Sequence, residues 1–231
     1  MRLFFCLALT LFSSFLRAET PTPEEVSFNT KDGGVIHADY YSSGELAVVL
    51  AHGAVFNKAS WHRLAEMLIA NDIGALAIDF RGYGQSTGGS RPDDRFEDIL
   101  AAVRYLHQKG IKQVVVLGAS MGGGIAGNAA THAQVGDISG LILLSPTPIS
   151  NPEKMKADKF LYIASENESG VSTIKAQYQQ APDPKQLKLL KGGAHAQHVF
   201  KTAEGDTLTK MIIQFMTREV SKSMFTKDAI A

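Results

Sequence analysis

The stretch with the clearest chemistry runs from Val114 to Asn128 and reads V-V-V-L-G-A-S-M-G-G-G-I-A-G-N. Its β-branched start predicts a buried strand, and its small-residue end predicts a helix. Between them lies Gly118-Ala119-Ser120-Met121-Gly122, which has the form Gly-x-Ser-x-Gly. This sequence between a strand and a helix is typical of a nucleophile elbow, a tight turn that presents a serine hydroxyl. Ser120 is therefore the candidate nucleophile.

The neighbours of this serine fit the physical demands of such a turn. Gly118 and Gly122 let the strand and helix backbones pass close together without Cβ clashes. The positive N-terminal end of the following helix favours an anion formed beside Ser120. A serine hydroxyl is a weak nucleophile by itself and needs a base in contact with it. The seven histidines are the candidate bases: His37, His52, His62, His107, His132, His195 and His198.

The composition limits the classes of partner. The chain has 231 residues, with 23 basic and 23 acidic side chains, which fits one domain with a full core. This charge balance gives no reason to expect a nucleic acid or an anionic membrane surface as a partner. No residue spacing predicts a metal site, and no glycine-rich loop of the nucleotide-binding kind is present, so neither a metal nor a cofactor is expected.

The first 18 residues have the pattern of a secretory signal peptide. Arg2 supplies a positive start, Leu3 to Leu16 is mostly apolar, and Arg17-Ala18 precedes a polar stretch. The expected division is a signal peptide over 1–18, a linker over 19–25 and one domain over 26–231. Cleavage would give a periplasmic or secreted protein without a membrane anchor; an uncleaved anchor is the alternative. The only cysteine, Cys6, lies inside the signal.

The rest of the chain predicts an α/β fold. Two alternating segments around Lys31-Asp32-Gly33-Gly34 predict an antiparallel N-terminal hairpin. From Leu46 onward strands and helices alternate, which predicts a mostly parallel twisted sheet with helices on both faces. The expected strands are 26–30, 35–41, 46–51, 75–80, 114–117, 141–144, 160–164 and 187–190, and the expected helices are 60–71, 93–109, 121–132, 171–180 and 203–220.

This topology places several polar residues at one edge of the sheet, because ligands in such folds gather outside the carboxyl ends of the strands. His52, Asp79, Ser120, Ser145 and Glu168 each lie at or soon after a predicted strand end. Only 145–159 separates two neighbouring strands, so no large lid domain is expected there.

At this point the chain resembles the α/β-hydrolase superfamily, in particular its small lidless dienelactone-hydrolase-like and serine-aminopeptidase-like esterases. The resemblance covers nearly all of the chain after the signal. The segments that carry it are His52-Gly53-Ala54, Ser60-Trp61, Asp79 to Ser86, the elbow and Gly192-Gly193-Ala194-His195. It implies acyl transfer to water through a Ser-His-acid triad, with the triad in the chain order serine, acid, histidine.

The resemblance also implies roles for individual residues. The base is His195, directly after the glycine turn, with His198 as its rival. The acid follows the strand 160–164, where the family usually has an aspartate and this chain has Glu168; Glu166 is two residues away. The other position known for the acid, after Leu144, offers Ser145-Pro146-Thr147 and no carboxylate.

The oxyanion that forms in acyl transfer needs two preorganised donors, which backbone N–H groups supply. Met121, after the nucleophile, and Ala54, after His52-Gly53, are the expected donors. His52 is expected to shape the loop, and Asp79 and Arg81 are expected to hold the loop 81–86.

The expected function is therefore that of an exported serine hydrolase, most simply a carboxylesterase on small or short-acyl esters. The small-molecule ester or acyl substrate is the one partner expected. A peptidase or amidase on short peptides is the first alternative. A non-catalytic binding or accessory protein that keeps the hydrolase fold is the second.

Overall fold

A computed structural model describes residues 22–218, which form one eight-stranded sheet with helices on both faces. The predicted signal peptide, 1–18, and the first part of the linker lie outside the described residues. The first strand begins at Glu24, inside the segment predicted to be linker.

The sheet is mostly parallel, as predicted. The strands are β1 (Glu24–Asn29), β2 (Val35–Tyr41), β3 (Leu46–Ala51), β4 (Gly74–Ile78), β5 (Gln113–Ala119), β6 (Gly140–Leu144), β7 (Phe160–Ser165) and β8 (Lys185–Leu190). Their spatial order is β1-β2-β4-β3-β5-β6-β7-β8. The pairs β1–β2 and β2–β4 are antiparallel, and the five remaining pairs are parallel.

Within residues 22–218, five α-helices cover the two faces. They are α1 (His62–Ile69), α2 (Phe96–Gln108), α3 (Met121–His132), α4 (Val171–Gln180) and α5 (Gly205–Thr217). The core on one face contains buried side chains of α2, α3 and α4, and the core on the other contains those of α1 and α5. Three short 3₁₀ helices lie at Lys58–Trp61, Pro152–Lys154 and Ala196–Lys201.

Strand β5 shows how the alternation of side chains serves both layers. Val114 and Val116 pack into the core under α2 and α3, whereas Val115 and Leu117 pack into the core under α1 and α5. A strand buried on both faces is continuously apolar, because successive side chains point to opposite faces. This central strand carries the elbow at its carboxyl end.

Three predicted helices begin later in the structure than expected. The helix predicted over 93–109 is α2, which spans Phe96–Gln108. Ser60 is not the N-cap of the helix that precedes Gly74. The chain instead enters a 3₁₀ turn in which the side chain of Asn57 accepts the Ala59 N–H at 3.1 Å, and α1 follows from His62. The last helix, α5, spans Gly205–Thr217, whereas the sequence predicts a helix over 203–220. Residues 219 and 220 lie outside the described part of the chain.

The segment between β6 and β7 is short and carries only the 3₁₀ turn Pro152–Lys154. No lid domain is inserted there. Within residues 22–218, no helix combines the length and apolar character that a membrane crossing requires.

Candidate active site

Ser120 lies on a strained turn between β5 and α3. Its φ is 53° and its ψ is −115°, a region that residues with a side chain seldom occupy. A Cβ on Gly118 would lie 2.3 Å from the carbonyl oxygen of Gly122, and a Cβ on Gly122 would lie 2.3 Å from that of Ala51. Only glycine fits at these two positions, which explains the Gly-x-Ser-x-Gly sequence. Strain of this kind is typical of functional sites.

Ser120, His195 and Glu168 form one chain of hydrogen bonds. The Ser120 Oγ lies 2.9 Å from Nε2 of His195, and Nδ1 of His195 lies 2.6 Å from Oε2 of Glu168. A carboxylate only accepts hydrogen bonds, so Nδ1 carries the ring proton and Nε2 presents its lone pair to the serine hydroxyl. This is the tautomer in which imidazole acts as a base toward serine.

The imidazole and the carboxylate differ in solvent exposure. The side chain of His195 is 49% exposed, whereas that of Glu168 is 2% exposed. Buried carboxylates need hydrogen-bond partners, and Oε1 of Glu168 has two. It accepts the hydroxyl of Ser145 at 2.8 Å and the N–H of Ser165 at 3.0 Å. Oε2 is left for His195.

The two rival residues lie elsewhere. Glu166 is exposed, and its N–H donates to the carbonyl oxygen of Leu190. The ring of His198 is centred 5.1 Å from that of Phe56. Neither side chain has a hydrogen bond to Ser120, His195 or Glu168 among the described residues.

His52 is fully buried beside the loop that follows β3. Its Nε2 lies 3.3 Å from the N–H of Phe80, and its Nδ1 lies 2.9 Å from the carbonyl oxygen of Gly53. Because the Phe80 N–H is a donor, Nε2 must accept, and Nδ1 therefore donates to Gly53. Burial lowers the pKa of His52, so the neutral ring that these two bonds require is the favoured form. His52 therefore shapes the loop after β3, and the histidine in contact with Ser120 is His195.

The two predicted oxyanion donors belong to residues near the candidate nucleophile. Met121 is the first residue of α3, where N–H groups have no acceptor within the helix. The Ala54 N–H has no protein acceptor within residues 22–218. The preceding Gly53 lies against the serine, since a Cβ on it would be 3.4 Å from the Cβ of Ser120.

Three further residues contribute to this site, and the sequence had assigned none of them this role. The buried side chain of Gln197 accepts the Gly53 N–H at 2.8 Å and donates to Ser60 at 2.7 Å. The hydroxyl of Tyr83 donates to the carbonyl oxygen of Ala54 at 3.0 Å. The hydroxyl of Ser145 donates to Oε1 of Glu168. The available signals were positions alone: Gln197 lies two residues after the candidate base, Tyr83 lies in the segment 79–86, and Ser145 follows a predicted strand end.

Asp79 and Arg81 hold neighbouring loops. The carboxylate of Asp79 accepts the Lys58 N–H at 2.7 Å. The buried guanidinium of Arg81 forms ion pairs with Asp32 at 2.9 Å and Asp98 at 2.7 Å. Hydrogen bonding to Arg81 lowers the pKa of Asp32. These contacts fix the turn after β4 to the N-terminal hairpin.

A cavity of ≈ 440 Å³ lies near the site. Its walls come from the loop after β3, from α1, and from the turn and helix that follow His195. Phe56 and Gln197 line it, and both also lie within 3.5 Å of a Cβ placed on Gly53. Trp61, Leu64 and Met67 form part of its apolar wall. Gly53 therefore lies between Ser120 and two residues of the cavity wall, and the lining includes none of Ser120, Glu168 and His195.

Within residues 22–218, no three His, Cys, Asp or Glu side chains are grouped in a way that would hold a metal ion.

Comparison with known sequences gives a consistent picture. Human monoglyceride lipase is 29% identical over 155 residues, which are 61% of this chain and 50% of that protein. The chain thus spans about half the length of this relative. A model of the alpha/beta hydrolase family matches residues 48–208, which include Ser120, Glu168 and His195.

Solved structures agree in fold. An esterase of Pyrococcus furiosus aligns with a TM-score of 0.73 at 18% identity, covering 86% of this chain and 93% of that one. The dienelactone hydrolase of Anabaena variabilis aligns with a TM-score of 0.67 at 18% identity, covering 84% and 96%. Together with the family match over most of the described residues, these alignments show that the chain belongs to the alpha/beta hydrolase family.

Proposed function

We propose that this protein is a serine hydrolase that cleaves small or short-acyl carboxylic esters. The observation that carries the proposal is the unbroken hydrogen-bond chain from Ser120 through His195 to Glu168. A serine hydroxyl at a nucleophile elbow, in contact with a correctly oriented imidazole, is the arrangement that activates serine for acyl transfer.

The reaction follows from the positions of these groups. The Ser120 Oγ attacks the ester carbonyl while Nε2 of His195 takes the hydroxyl proton. The Ala54 and Met121 N–H groups bind the oxyanion, and Glu168 stabilises the imidazolium. His195 then protonates the departing alcohol. A water molecule, deprotonated by the same imidazole, releases the acyl group and restores Ser120.

The cavity beside Gly53 supports a compact substrate. Its volume, ≈ 440 Å³, is within the range of small-molecule sites, about 300 to 1,000 Å³. The short link between β6 and β7 provides no lid that would enclose a long acyl chain. We place the apolar part of the ester in this cavity.

Labelling with a fluorophosphonate probe tests the proposal, because the probe reacts with an activated serine. We expect wild-type protein to label and to hydrolyse acetyl and butyryl esters, and folded Ser120→Ala to do neither. Loss of a triad nucleophile costs on the order of a millionfold in kcat. A folded wild-type protein that never labels would favour a binding protein. Faster turnover of aminoacyl amides than of esters would favour a peptidase.

We also propose that the protein is exported, on the basis of the pattern in residues 1–18. The mass of the protein recovered from the cell envelope and medium tests this. Loss of the residues up to Ala18 is the expected result, and a full-length chain in the cytosol would contradict it.

A further inference from the structure

Ser145 occupies an unusual position at the carboxyl end of β6. It is fully buried, and its φ of 46° lies in the left-handed region. Its N–H continues the sheet by donating to the carbonyl oxygen of Ile163 at 2.8 Å. A side chain in this backbone conformation is uncommon and calls for a compensating interaction.

The hydroxyl of Ser145 makes two hydrogen bonds within the candidate active site. It donates its proton to Oε1 of Glu168 at 2.8 Å, and it accepts the N–H of Ala196 at 3.1 Å. Ala196 directly follows His195 and has a φ of 50°. One hydroxyl therefore links the carboxylate to the backbone next to the imidazole.

These contacts restrain the carboxylate that orients the imidazole. Ser145 and the Ser165 N–H both hold Oε1, which directs Oε2 toward Nδ1 of His195. Glutamate has one more rotatable bond than the aspartate usual at this position, so fixing it costs more side-chain entropy. A charge-assisted hydrogen bond from a buried hydroxyl offsets such a cost.

We infer that Ser145 is a positioning residue for the reaction, acting through Glu168 and the backbone of Ala196. This inference rests on the proposed function. It also gives a role to the end of β6, where the sequence offers no carboxylate. Ser145 at that position supports Glu168, which follows the neighbouring strand β7. Ser145 itself does not contact the reacting atoms.

A double-mutant cycle between Ser145 and Glu168 separates this role from a general contribution to folding. We expect Ser145→Ala to lower kcat/KM for a butyryl ester about tenfold, mainly through kcat, the loss that corresponds to about 1.4 kcal/mol. In a Glu168→Gln background, the same change should cost less than about twofold, because the carboxylate it supports is already gone.

Ser145→Gly is the control for a folding defect in Ser145→Ala. Glycine also lacks the hydroxyl, but it adopts the left-handed conformation of this position without strain. Both variants should reach the same reduced kcat. A second readout is the proton NMR signal of Nδ1–H of His195, which should broaden or disappear in both variants through faster exchange with water.

The outcomes are distinct. If wild-type protein neither labels with the probe nor hydrolyses esters, the proposed function fails. If wild-type protein is active and the two Ser145 variants match it, the inference about Ser145 fails. A third outcome would also overturn the inference about Ser145. In it, the Ser145 variants lose as much kcat/KM in the Glu168→Gln background as in the wild type, and the Nδ1–H signal of His195 is unchanged. Such an effect would be independent of the carboxylate.

Discussion

The buried imidazole of His52 donates the proton of Nδ1 to the carbonyl oxygen of Gly53, 2.9 Å away. That carbonyl belongs to the same peptide group as the N–H of Ala54. The C=O and N–H of a planar trans peptide point in opposite directions, so a donor that holds the carbonyl also sets the direction of the N–H. His52 thus sets the direction of the Ala54 N–H, the proposed oxyanion donor.

The first prediction concerns the activity of His52→Phe. Phenylalanine keeps most of the ring volume but loses the bonds to Gly53 and Phe80. We expect kcat for a butyryl ester to fall roughly a hundredfold, as when one oxyanion donor is lost, with KM little changed. The matched control is His132→Phe, at an exposed histidine on α3. A rise in KM at constant kcat would show that His52 serves ground-state binding instead.

The second prediction concerns stability and pH. Burial lowers the pKa of His52 below its ordinary value of about 6.5. As pH falls through the unfolded value, the unfolded chain binds a proton that the folded protein does not, so folding stability is lost. We expect His52→Phe to lose less stability than wild type between about pH 7.5 and pH 5.5. Urea unfolding at several pH values measures this, and equal losses would contradict it.

The third prediction separates the two neighbouring carboxylates. Glu168 is buried and lies 2.6 Å from Nδ1 of His195, whereas Glu166 is exposed. Glu168→Gln should lower kcat roughly a hundred- to ten-thousandfold, because an amide can favour the wrong imidazole tautomer. Glu168→Asp should keep partial activity, since the charge remains with a shorter reach.

Glu166→Gln is the control for this pair and should be nearly silent. Steady-state kinetics on one ester, with circular dichroism to verify folding, are sufficient. A damaging Glu166→Gln together with a mild Glu168→Gln would show that the acid acts from the other position of the loop.

The fold was predictable because its signals are local and strong. Continuous apolar runs such as Leu46–Ala51 require strands buried on both faces, and alternation with helices requires parallel pairing. The Gly-x-Ser-x-Gly spacing also identified the elbow. The spacing is a reliable signal because a Cβ on Gly118 or Gly122 would collide with backbone atoms, so the fold requires glycine at both positions. Helix starts were less predictable: Ser60 is a good capping residue, but Asn57 caps a preceding 3₁₀ turn instead.

The supporting contacts of the site were not predictable, because they join residues distant in sequence. The Gln197 side chain accepts the N–H of Gly53, 144 residues earlier in the sequence. The Ser145 hydroxyl, at the end of β6, donates to Glu168, which follows the neighbouring strand β7. A glutamine or serine side chain has many possible partners, and only the packed sheet edge selects these. The resemblance to known hydrolases indicated positions for the nucleophile, base and acid but none for the residues that hold them.

The last prediction concerns the cavity of ≈ 440 Å³ between the loop after β3 and α1. Met67 is half-buried in its wall. Met67→Trp places a larger side chain there and leaves the residues around Ser120 unchanged. If the cavity holds the apolar part of the ester, kcat/KM for hexanoyl and butyryl esters should fall about tenfold, whereas that for an acetyl ester should stay within about twofold.

Val135→Trp is the control, because it adds the same side chain at an exposed position outside the cavity. It should leave the chain-length profile of the wild type unchanged. In the wild type itself, acetyl and butyryl esters should be cleaved faster than decanoyl esters, because no lid encloses a long chain. Faster cleavage of decanoyl esters would contradict the short-acyl preference. An equal loss on all esters in Met67→Trp would show that this cavity does not hold the acyl group, since only chain-dependent losses indicate that the chain lies there.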